Sequence, residues 1–196
     1  MVTLTTLGYG DVVPTSDPLR VLAPLEGLVG FALLTAALSW VLSIYPALGR
    51  RRSLAREATL LKESEREVGE TLERVGAQEA ARVLGELAGR VVAVEGDLMQ
   101  FPVTYYFHST EERFSLPFVM SYLLHLAQRA GGERFQPWVR LRAGMLRGAI
   151  GDFSDRIGSK AFLDLHRALA EEVLKAYARD HFHGDEPRRS PAGARK

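Results

Sequence analysis

Residues 19–48 contain only two charges, Arg20 and Glu26, in thirty positions. As a helix rising 1.5 Å per residue they reach roughly 45 Å, more than the hydrocarbon core of a bilayer at about 30 Å. A segment this long and apolar reads as a membrane-crossing helix. It is too long for the core of a secretory leader, and residues 1–10 lack the basic start a leader needs. The chain then changes character. Residues 50–90 are dense in Arg and Glu, so the hydrophobic fraction of 46% averages a membrane part with a soluble part. Pro46 disfavours an undisturbed helix, and residues 49–52, Gly-Arg-Arg-Arg, follow it. Arginines directly after an apolar span mark the cytoplasmic side, so the expectation is a cytoplasmic C-terminal domain starting at residue 50. The same arginines could bind anionic lipid, though a topology signal is the simpler reading.

Just before the apolar segment stands Thr5-Thr6-Leu7-Gly8-Tyr9-Gly10-Asp11, with Pro14 behind it. Two glycines permit backbone angles closed to other residues, so successive carbonyls can all face one side. Four copies around an axis would stack rings of carbonyl oxygens, joined by the Thr6 hydroxyls, that replace the water around a cation. The run resembles the selectivity filter of the potassium channel family, in its bacterial two-transmembrane form, with Leu7 where Val is commoner. A filter loop followed by an inner helix is the order that architecture requires. A lone Gly-Tyr-Gly is ordinary turn material; here it is extended by the two threonines and Asp11.

The resemblance implies a filter over residues 5–11 with K+ held at Thr6, Leu7, Gly8 and Tyr9, and Gly10 completing the loop. It implies an inner transmembrane helix over 19–48, a gating hinge at Gly30, and a location in the plasma membrane. Glycine eases bending, but it also serves helix packing in membranes, and both readings of Gly30 stay open. Leu34, Leu38 and Leu42 fall four residues apart below Gly30 and line either the cavity or the lipid. Glu26, two turns into the helix, is expected to be paired or to lie at headgroup level. Arg20 reads as snorkelling, and Trp40 and Tyr45 suit the inner half and interface. One filter per chain implies a homotetramer in a lipid bilayer. The family places an outer helix and a pore helix before the filter, and only Met1-Val2-Thr3-Leu4 precedes Thr5 here. The expectation is therefore an N-terminally truncated pore domain over residues 1–49.

Beyond the span the pattern is helical, and the fold class expected for the chain is all-α. Ser53 is a candidate N-cap for a helix over 53–75, whose Leu54, Ala58, Leu61, Glu65, Val68, Leu72 and Val75 alternate steps of four and three. That is a heptad seam with one charge, suited to a bundle of subunits or to packing on its own domain. A second helix over 77–99 has Ala81, Leu84, Leu87, Val91 and Leu98 on one side. Residues 101–115 form an aromatic connector, its aromatics next to His108 and a carboxylate pair, either core packing or a small-molecule pocket. A helix opens at Ser115 or Leu116 with Pro117 in its first turn and ends at Gly131-Gly132. Others are expected over 137–150 and 159–182, with a turn over 151–158. The helical domain runs to 183, and 184–196 reads as a disordered tail.

No disulfide can form, for the chain lacks cysteine, and a net charge of +1 gives no sign of a nucleic-acid partner. His181 and His183 are two residues apart at a helix end, which does not put both rings on one face. Neither a nucleophile triad, a P-loop nor an HExxH run is present, so no enzyme and no cofactor is expected beyond K+ as the permeant ion. A Rossmann-type regulatory domain would need strands and a Gly-x-Gly-x-x-Gly turn, and a cyclic-nucleotide domain many short strands; the pattern offers neither. Two functions remain: a potassium-selective channel subunit, or a non-conducting membrane-anchored helical adaptor or sensor that keeps a vestigial pore segment.

Overall fold

The computed structural model describes residues 15–107, 115–159 and 169–182. The described residues are helical, without a strand among them: α1 (Asp17–Val68), α2 (Leu72–Val75), α3 (Ala77–Gln100), a 3-10 turn (Pro102–Tyr106), α4 (Leu116–Ala130), α5 (Pro137–Ile157) and α6 (Ala170–Phe182). The all-α expectation holds. The chain divides into two compact units, residues 1–46 and 47–196.

In the first unit, the N-terminal part of α1 is long and apolar enough to cross a membrane. Its large side chains stay exposed, among them Leu22, Leu28, Phe31, Leu33 and Trp40. In a helix that is apolar all round, this is the surface lipid or another helix would cover. Two prolines, Pro24 and Pro46, lie inside α1. The expected break at Pro46 and fresh start at Ser53 are corrected: α1 runs on to Val68, and Ser53 is interior to it. One proline removes a single backbone bond, and the donors and acceptors on either side keep the helix together.

In the second unit, α1 turns one face inward through Leu54, Ala55 and Ala58, each at most 1% exposed. The expected seam holds at Leu54, Ala58, Leu61 and Leu72, which join the core of their own domain. It fails at Val68 and Val75, which are exposed: Val68 is the last residue of α1, and Val75 the last of the short α2 that follows the turn. Gly69 takes φ of +72°, a left-handed angle glycine adopts without strain, and its N–H caps the carbonyl of Glu65 at 3.0 Å. The chain turns there, and α2 restarts on a new axis.

Each later helix buries a stripe at helical spacing. Ala81, Leu84, Leu87, Val91 and Leu98 of α3 all face inward, as their spacing predicts. Ten of the fifteen residues of α4 are buried. Completely covering Leu123 and Leu126 stabilises the fold by roughly 1.5–3 kcal/mol each. Helix α3 packs on α5, α4 on α5, and α6 on both α4 and α5. The turn expected over 151–158 is corrected: α5 continues through Gly151 to Ile157, because Phe153 and Ile157 extend the inward stripe of Val139, Ala143, Leu146 and Ile150 by two more turns. Leu169 lies outside α6 and is exposed, while Val173, Leu174 and Tyr177 are buried. Phe162, Leu165 and the tail lie outside the described residues.

Candidate functional site

The filter run Thr6, Leu7, Gly8, Tyr9 and Gly10 lies outside the described residues. The helix that follows it is described. Along α1, Leu34, Leu38 and Leu42 are 66%, 58% and 57% exposed, and Gly30 lies one turn before Leu34. All three leucines leave more than half of their surface open. The polar side chains of this stretch turn inward on the helix itself. Thr35 donates its hydroxyl to the Phe31 carbonyl at 2.9 Å, and Ser43 to the Trp40 carbonyl at 2.6 Å. A hydroxyl bonded to its own helix can face hydrocarbon without an unmet hydrogen bond.

The arginine run after the apolar stretch is built into the second unit. Arg50 donates Nε and a terminal nitrogen to the two oxygens of Asp97 on α3, at 2.8 and 2.5 Å. This fork geometry is the strongest that arginine makes with a carboxylate. Its hydrogen bonding to Asp97 raises the already high pKa of Arg50. Arg51 donates to the Thr104 carbonyl and, at 3.2 Å, to the Tyr177 hydroxyl. Spacing alone cannot reveal these bonds, because their partners lie 47 to 126 residues away.

Arg51 thereby meets an aromatic cluster. Tyr105 stacks on Tyr177 at 5.4 Å, and His181 packs edge-on to both rings. The Tyr105 hydroxyl donates to Asp180 at 2.7 Å, and His181 Nε2 lies 2.9 Å from the Tyr105 carbonyl. Burial, then the bond to Asp180, pushes the Tyr105 phenol far above its ordinary pKa; burial likewise raises Tyr177. In the described part of the aromatic connector, Phe101 and Tyr105 pack into the core, while Tyr106 and Phe107 are exposed. His181 is a packed core residue, His183 lies outside the described residues, and no group of metal-ligating side chains occurs among the described residues.

Sequence reasoning also missed Glu65, read above only as a charge in an apolar seam. Its side chain is 11% exposed. It accepts from the Leu72 N–H at 2.8 Å, the Tyr122 hydroxyl at 3.0 Å and Arg129 at 3.0 Å. The seam position that looked wrong joins α1, the turn into α2, and α4. Beside it a cleft of about 350 Å³ has Ala58, Val119 and Tyr122 at its buried side and Lys62, Glu63 and Arg66 at its exposed side.

Residues 1–45 match the model of a family described as Ion channel. The match takes in both the Gly-rich run and the apolar part of α1, and it points to a channel rather than an enzyme. No curated protein and no solved structure matches the chain.

Proposed function

From an N-terminal segment that belongs with the ion channels, we propose that this protein is a subunit of a potassium-selective channel. One observation carries the proposal: the ion-channel match spans, without a break, the Thr-Leu-Gly-Tyr-Gly run and the apolar helix behind it. Carbonyls of Thr6, Leu7, Gly8 and Tyr9, with the Thr6 hydroxyl, take the place of water around K+. Gly10 allows the loop to stay open. Oxygens arranged at several adjacent sites bind the ion well enough to admit it and weakly enough to release it. Four copies supply the rings, which makes the working unit a homotetramer. The exposed Leu34, Leu38 and Leu42 line the inner cavity, and bending at Gly30 opens it. The channel sits in the plasma membrane with its helical domain, residues 50–183, in the cytoplasm. No chemistry beyond K+ as the permeant ion is required.

The experiment is cation flux into liposomes reconstituted with the protein, including any in-frame residues encoded before Met1. Potassium flux well above sodium flux, abolished by Gly8→Ala or Gly10→Ala, is the expected result. A well-folded tetramer that passes neither ion across a range of voltage and pH would overturn the channel reading. The function would then be that of a membrane-anchored helical adaptor or sensor.

A further inference from the structure

Helix α5 buries one face and leaves another uncovered. Trp138, Leu141 and Met145 are 52%, 66% and 47% exposed. With Gly148 and Asp152 they follow one another at steps of three, four, three and four, which is one stripe along a helix. A side chain added at Gly148 would meet nothing within 4 Å, so the stripe has an open notch. Single exposed apolar residues need no explanation, but three large ones in line beside a notch do.

The charges around the stripe are sorted. Arg140, Arg142 and Arg147 stand in the first part of α5, and Asp152 and Asp155 in the second. Arg156 pairs with Glu95. Arg142 and Asp152 have no ion-pair partner among the described residues; the Arg142 side chain lies over Gly85 of α3 and reaches Met145 Sδ at 3.6 Å. A helix with a basic first half and an acidic second half complements itself when a copy lies antiparallel to it. A twofold axis between Leu146 and Arg147 would seat Met145 in the Gly148 notch of the copy. It would also bring Arg142 beside the copy's Asp152 and Trp138 beside its Asp155.

We propose that this face of α5 is where the helical domain packs, antiparallel, on a second copy of the same chain. The proposal rests on the channel reading, because a filter contributed one per chain requires several copies side by side. The stripe is far smaller than the roughly 800 Å² per partner of a stable interface between free proteins. Copies already gathered by a shared pore meet at high effective concentration, where a small complementary face is enough.

The absence of cysteine makes the test direct. A single cysteine is placed in the full chain at Met145 or, on a different helix, at the exposed Lys62. The protein in detergent is treated with a short thiol-reactive crosslinker, and its assembled mass is measured in parallel. The expected result is a crosslinked pair from Met145→Cys and none from Lys62→Cys. Adding Asp152→Arg should lower the yield about fivefold, the scale of an exposed charge pair, and adding Arg142→Asp to that variant should restore it. A tetramer that gives no crosslink at Met145 overturns this interface and leaves the channel reading standing. A monomeric chain overturns both. Equal yields across the charge variants overturn the antiparallel packing.

Discussion

Arg50 and Asp97, 47 residues apart, form a two-pronged ion pair in which both carboxylate oxygens are used, at 2.8 and 2.5 Å. Arg50 is half exposed, while the Asp97 side chain is only 11% exposed. Removing the carboxylate loses both charge-assisted bonds and one of the ties between α3 and α1, the Arg90–Glu57 pair and the shared core remaining. Asp97→Ala is expected to lower the melting temperature by about a few degrees, and Asp97→Asn by less, since the amide oxygen still accepts one bond. Thermal melts followed by helical circular dichroism in detergent check this; a melt unchanged by Asp97→Ala would show that the pair contributes nothing to the fold.

Glu65 is the more deeply committed carboxylate. Glu65→Ala withdraws an acceptor from Leu72, Tyr122 and Arg129 together. We expect a loss of about 1–3 kcal/mol, the scale for buried polar groups deprived of a partner. Glu65→Gln keeps one oxygen and should retain part of it. Urea unfolding of the three proteins side by side measures the difference, and a Glu65→Ala midpoint equal to wild type would contradict the role assigned to this residue.

The aromatic cluster makes the domain sensitive to alkali. An unfolded tyrosine titrates near pH 10, and folding raises both Tyr105 and Tyr177 above that. Below about pH 10 both states hold the proton and the stabilisation is complete. Above it the unfolded state loses protons first, so stability falls as pH climbs toward the folded values. Helix content and tyrosinate absorbance, followed together through alkaline pH, should change in one transition. Tyr105→Phe removes one of the two groups and should make the loss shallower. Tyrosinate forming without loss of helix would show that the rings are not held as described.

Leu34, Leu38 and Leu42 offer a test inside the membrane segment. Single cysteines at these positions, modified by a charged thiol reagent from the cytoplasmic side, are expected to block potassium flux. A cysteine at Ala36, on the opposite face of the helix, should not. Block at Ala36 with free flux through the modified leucine positions would reverse the assignment of faces.

Much was legible from residue order alone, because it depends on neighbours along the chain. Thirty nearly uncharged residues read as a membrane-crossing helix by length and composition, and the Gly-Tyr-Gly run before them was what pointed to a channel. Steps of three and four placed Leu84, Leu87 and Val91 on the inner face of α3, where they lie. Prolines at the head of α4 and α5 marked where those helices begin. Tertiary structure decided what depends on distant partners. Pro46 was read as a stop, yet α1 continues past it, because one missing backbone bond does not outweigh the bonds and packing on either side. Gly151 likewise stayed helical because Phe153 and Ile157 beyond it had a core to enter. Glu65 looked like a fault in a seam, and Arg50 and Arg51 like a plain topology signal. Their bonds to Tyr122, Arg129, Asp97 and Tyr177 exist only once helices far apart in sequence are brought together.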